Sequence, residues 1–149
     1  MREILFRGKR LDNGEWVESG SISRVSDDGV NWDYYLGAGA PAIYMLDEHK
    51  NMLEVITQAE CVFYRVDPET VGQCTGLTDK NGKKIFEGDI LECSYGIRYI
   101  IFEKGSFCAK KFNSTLCAAM KSLVDELKHN YEVIGNIHDN PAFLKGGAE

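Results

Sequence analysis

Three carboxylates crowd one short run, Glu87-Gly88-Asp89-Ile90-Leu91-Glu92. Acid–base catalysis by carboxyl groups needs two of them to converge on one substrate atom, in environments that hold their protonation states apart. This run argues against convergence. An aspartate beside a glycine is what a tight turn uses, its carboxylate accepting backbone amide hydrogens. Glu87 and Glu92 are then neighbours of Asp89 in sequence only. His138-Asp139 is the other constellation with suitable chemistry, since a histidine beside an aspartate can act as a general base. Adjacent strand positions diverge, so His138 is read as a packing or hydrogen-bonding residue.

The five cysteines, Cys61, Cys74, Cys93, Cys108 and Cys117, are never closer than nine positions. That leaves no CxxC pair, and no histidine stands at zinc-finger spacing. Free thiols in a reducing cytoplasm are the expectation. GxSxG, HExxH and GxGxxG are all missing. Gly76 to Lys84 imitates a phosphate loop, but five residues separate Gly76 from Gly82 and Lys84 stands where Ser or Thr belongs. Asp79-Lys80-Asn81-Gly82 begins like a calcium loop, yet its glycine comes two positions early and no glutamate closes it. The residues therefore predict a protein that is not an enzyme, with no catalytic residue, no cofactor and no metal site.

One charged feature remains. Lys80, Lys83 and Lys84 surround Asn81-Gly82 and form a positive knob on a chain of net charge −6. Such a knob can touch nucleic-acid phosphate or an acidic partner. Lysines on a hairpin also keep strand edges soluble and unpaired. The second reading is preferred, because no cluster of aromatics flanks the knob to stack bases. Lys110-Lys111 extends the patch if its strand lies beside the hairpin. The acidic balance, with a pI of about 5.1, argues against attraction of the whole surface to nucleic acid.

The elements that must hold these side chains are mostly short strands. Between Val66 and Glu92 apolar residues alternate with Asp67-Pro68, Gly76, Asn81-Gly82 and Gly88-Asp89, and Asn81-Gly82 predicts a type I′ hairpin turn. Asn13-Gly14 predicts a second hairpin between Ile4-Phe6 and Trp16-Val17. Three apolar runs follow, Ala42–Leu46, Met52–Thr57 and Cys61–Val66, and Asp67 marks the boundary between a lobe at 1–66 and one at 67–149. Beyond it, turns at Tyr95-Gly96 and Lys104-Gly105 predict a meander. Asn113-Ser114 starts one helix over 114–129, with Leu116, Met120, Leu123, Val124 and Leu127 at helical spacing. Tyr131–Ile137 is the last strand. The fold class is thus mainly β: curled antiparallel sheets or a small barrel, capped by one helix near the C-terminus.

No apolar run approaches the ~20 residues of a membrane-spanning helix. Met1-Arg2-Glu3, followed only by Ile4-Leu5-Phe6 before Arg7, lacks a targeting core. A cytoplasmic location is expected.

GLTDKNGKKIFEGDIL, together with the opening MREILFRGKRLDNGEWV and the closing YEVIGNIHDNPAFL, resembles the YopX family of bacteriophage and prophage proteins. The resemblance implies an SH3-like β-barrel, at least in the later half, and a phage or prophage accessory protein in the cytoplasm of a bacterial host. It implies little mechanism. The expected role is protein contact, either as a homo-oligomer or with another phage or host protein, and away from membranes. The alternative is a nucleic-acid-binding module in phage replication or regulation, acting through Lys80, Lys83 and Lys84.

Overall fold

Glycine placement and turn chemistry set the architecture in the computed structural model, which describes residues 3–38, 43–46, 52–56, 62–115, 117–119 and 130–145. The chain divides between Val71 and Gly72 into an N-terminal unit, Leu5–Val71, and a C-terminal unit, Gly72–Glu149 with Met1–Ile4.

In the N-terminal unit, β1 (Phe6–Lys9) and β2 (Trp16–Ser19) pair antiparallel from Phe6↔Ser19 to Lys9↔Trp16. Gly14, at φ 72, turns the chain between them. Next come β3 (Ile22–Val25), β4 (Asp33–Ala38), β5 (Ile43–Leu46), β6 (Met52–Ile56) and β7 (Val62–Val66). β4 is the centre of a sheet ordered β3-β4-β7, and β5 and β6 form a two-stranded sheet among the described residues. Leu36 and Val66 are fully buried on one face of that sheet. Gly8 lies against both: a side chain there would come within 3.1 Å of Val66 and 3.3 Å of Leu36. The Asp67-Pro68 break is a 3-10 turn over Pro68–Thr70, with Asp67 accepting the Glu69 amide. Thr70 Oγ1 ties it to β1 by accepting the Lys9 amide at 2.8 Å.

The C-terminal unit opens with β8 (Gly72–Thr78) and β9 (Lys84–Phe86), an antiparallel hairpin. β10 (Asp89–Cys93), β11 (Gly96–Glu103), β12 (Ser106–Lys111), β13 (Cys117–Ala119) and β14 (Tyr131–Asn136) follow, in a five-stranded antiparallel sheet ordered β13-β12-β11-β10-β14. Ile85, Leu91, Ile100, Ala109, Tyr131 and Val133 form the core, with Leu77, Cys93 and Phe107 packed against it. The meander predicted through Tyr95-Gly96 and Lys104-Gly105 is present as β10, β11 and β12.

The mainly antiparallel β class holds, and three finer expectations change. Among the described residues the sheet does not close into a barrel. The outer edge of β14 is occupied instead by the β8–β9 turn: Tyr131 O accepts the Lys80 amide at 3.0 Å, and the Val133 amide donates to Asp79 Oδ2 at 3.0 Å. The start of the expected helix over 114–129 also differs among the described residues. Asn113 takes φ 58 and the Ser114 amide donates to Lys111 O, which swings the chain back along β12, where Cys117 and Ala118 pair with Lys110 and Ala109. Strand pairing that satisfies the edge of β12 overrides helical spacing here; residues 116 and 120–129 lie outside the described residues. Finally, the type I′ turn is at Lys104-Gly105, φ 52 and 80, between Glu103 and Ser106, not at Asn81-Gly82. No described helix is long and apolar enough to cross a membrane.

Candidate functional site

Asp79 governs the geometry of the lysine knob. It is 5% exposed, and its carboxylate accepts the amides of Asn81 and Lys83 on Oδ1, both at 2.9 Å, and that of Val133 on Oδ2. Gly82 donates to Asp79 O and Asp79 to Lys83 O. Only Gly82 has positive φ in this turn. The result is a type I turn followed by a left-handed glycine, the three-residue hairpin form, and the carboxylate's hold on the two amides explains why it displaces the type I′ form. Burial alone would raise the Asp79 carboxyl, but the amides of Val133, Lys83 and Asn81, with the Lys83 charge, overcome this and hold it below its ordinary value of 3.8.

The three lysines do not present equal charges. Lys80 Nζ is 2.7 Å from Glu132 Oε2, and Glu132 also accepts from Asn81 Nδ2. Glu132 lies directly across from Glu92, so Lys80 separates two carboxylates that would otherwise repel. Its hydrogen bond and charge contact with Glu132, helped by Glu92, raise the Lys80 ammonium. Lys84 Nζ meets Glu3 Oε2 at 3.0 Å. Lys83 makes no ion pair among the described residues. Lys110 and Lys111 are on β12, whose neighbours are β11 and β13, so they do not lie beside the hairpin and do not extend the knob.

Two shallow clefts border this hairpin. One, about 410 Å³, is lined by Glu3, β8 from Cys74 to Thr78, and Lys84. It opens where the β8–β9 register slips between Cys74 and Thr78, and there Thr75 Oγ1 donates to Ile85 O. The other, about 190 Å³, contains Lys80, Glu92, Ser94, Asn130 and Glu132.

The carboxylate run is divided as turn chemistry demands. Asp89 is 1% exposed and its Oδ2 accepts the Phe86 amide at 2.8 Å; Glu92 is exposed farther along β10. Asn136 organises the other candidate pair, its Oδ1 accepting the amides of His138 and Asp139 and its Nδ2 donating to Asp139. The His138 ring lies over Gly88, with Nε2 3.6 Å from where a side chain would begin. Cys74, Cys93 and Cys108 are free thiols. Among the described residues no group of three or more His, Cys, Asp or Glu could hold a metal ion.

A separate surface, with no local signature in the sequence, lies in the N-terminal unit. On the face of β3-β4-β7 away from Leu36 and Val66, Gly37 is opposite Phe63 and Tyr35 lies between Ser23 and Arg65. A side chain at Gly37 would stand 2.8 Å from the Phe63 ring, so the ring rests on the glycine. Phe63 is nonetheless 46% exposed and Val25 52% exposed. Arg65 is ion-paired with Asp33 at the border of this patch. The alternation in Val62–Val66 is readable, but its pairing with Gly37 joins positions 26 apart, which periodicity alone does not specify.

No curated protein matches the chain. Among solved structures it is similar to protein EF1440 from Enterococcus faecalis, known from a crystal structure, at 26% identity over 95% of this chain and 97% of that one, with a TM-score of 0.51. The sequence pattern of the family described as YopX protein matches residues 5–145. That match runs through both units, and the chain belongs to the YopX family.

Proposed function

We propose that this protein is a non-enzymatic accessory protein of a phage or prophage. It works in the bacterial cytoplasm by protein contact, and self-association is the preferred form. The observation that carries this reading is Phe63 resting on Gly37 while nearly half its surface stays in solvent. An exposed aromatic already fixed in place loses little side-chain freedom on binding, which is what an interface anchor requires. Val25 and Tyr35 supply apolar surface on the same face, and Arg65 with Asp33 supplies a polar border. Nucleic-acid contact through the knob would have to displace Glu132 from Lys80 and Glu3 from Lys84, on a chain already acidic.

Light scattering across micromolar concentrations tests the proposal. The wild-type mass should rise with concentration, and Phe63→Ala should hold it near the monomer while leaving the circular dichroism spectrum unchanged. Gly37→Ala, which lifts the ring from its seat, should weaken association in the same direction. A wild-type mass that stays monomeric throughout would sink the self-association form.

A further inference from the structure

Strand register in the C-terminal unit sets two cations directly across from each other. Arg98 on β11 is opposite Lys111 on β12, and on its other side Arg98 is opposite the core residue Leu91. Like charges in this position repel. The cost is greater because Arg98 is half-buried and its Nε, shielded from solvent, donates to no acceptor. Shortage of acids is not the reason. The chain has 23 Asp and Glu against 17 Lys and Arg, and Arg10, Arg65, Lys80 and Lys84 each meet a carboxylate. Among the described residues no carboxylate meets Arg98 or Lys111.

We propose that Arg98 and Lys111 form a binding site for a phosphate group. A guanidinium offers a planar fork of donors that matches two phosphate oxygens, and a neighbouring ammonium adds a point charge. Two adjacent cations are matched by one dianion, which turns their mutual repulsion into shared attraction. Lys110, next along β12, faces the opposite side of the sheet and takes no part. Free phosphate and a phosphate monoester on a nucleotide present the same group.

The test uses the full chain at fixed ionic strength and a pH where phosphate is mainly dianionic. Inorganic phosphate is titrated against chloride while the Arg98 Nε–H resonance and the melting temperature are followed. The expected result is a saturable movement of that resonance and a rise in melting temperature with phosphate. Arg98→Met should lose the response yet melt no lower than wild type in chloride, because it removes an unsatisfied charge; Lys111→Met should weaken binding roughly tenfold, the loss of one charge-assisted contact. Adenosine monophosphate is the second ligand: tighter binding than inorganic phosphate assigns the group to a nucleotide, and equal or weaker binding assigns it to free phosphate. The site is overturned if phosphate acts no differently from chloride, if the response survives in Arg98→Met, or if Arg98→Met melts well below wild type, which would make the guanidinium a structural element.

Discussion

Replacing Asp79 should loosen the β8–β9 turn from β14 and do so in a pH-dependent way. In Asp79→Ala the amides of Asn81, Lys83 and Val133 all lose their acceptor. The Asn81 and Lys83 amides are partly exposed and can turn to water; the Val133 amide is buried. A buried donor without a partner costs about 1–3 kcal/mol, and a hydrogen bond to a charged group contributes about 1.5–3 kcal/mol. A total near 3 kcal/mol is therefore expected for alanine. Asp79→Asn keeps one acceptor oxygen but turns an NH2 group toward a donor, so about 2 kcal/mol is expected. These are large fractions of the roughly 5–15 kcal/mol that holds a typical domain folded. Both tryptophans, Trp16 and Trp32, belong to the N-terminal unit, so indole fluorescence is a poor reporter. Amide exchange at Val133 is the direct one, and 3 kcal/mol corresponds to a protection loss on the order of a hundredfold. The sign with pH follows from the lowered carboxyl. Stabilisation is fully present above the ordinary value of 3.8 and is lost as pH falls below it through the native value. Asp79→Asn should lack that acid-sensitive component. Unchanged Val133 protection in Asp79→Asn, with the wild-type acid slope retained, would refute the argument.

Three further outcomes are expected. Gly72→Ala places a side chain 2.8 Å from the Glu87 carbonyl oxygen, a backbone atom that cannot swing aside, so thermal melting should show a loss of about 1–3 kcal/mol. Lys80→Ala leaves Glu92 and Glu132 facing each other; it should lower the melting temperature at low salt and recover part of the difference at high salt, where the repulsion is screened. Lys104→Asn puts a residue tolerant of positive φ into the type I′ turn and should raise the urea midpoint by the equivalent of roughly 0.5 kcal/mol.

Strand identity was legible because it depends on neighbours in sequence. The runs at 43–46, 52–56 and 62–66 are strands, as their β-branched and aromatic content predicts. Turn type was less legible because it depends on partners outside the turn. Asn81-Gly82 has the composition of a type I′ turn, yet Asp79, held by Val133 from β14, selects another geometry for it. Lys104-Gly105, of poorer composition, adopts type I′ because the paired ends Glu103 and Ser106 leave only two residues to connect them. The same logic explains Cys117–Ala119. Helical spacing is a property of the segment, and the edge of β12 is a property of the fold; where the two compete, paired backbone groups decide.

The candidate sites repeat that division. The positive knob was visible as a cluster of lysines, but its effective charge was not, since Glu3 and Glu132 lie 81 and 52 positions from the lysines they neutralise, Lys84 and Lys80 respectively. Phe63 on Gly37 and Arg98 beside Lys111 carry no local signature, because each is made by register between strands. A glycine in a strand reads in sequence as a weakness, and here the missing side chain is what seats an exposed ring. Charge composition likewise gives a net acidity that says nothing about which cation is left uncompensated. For this chain, then, sequence identifies residues able to make a surface, while cross-strand register determines which of them remain available to a partner.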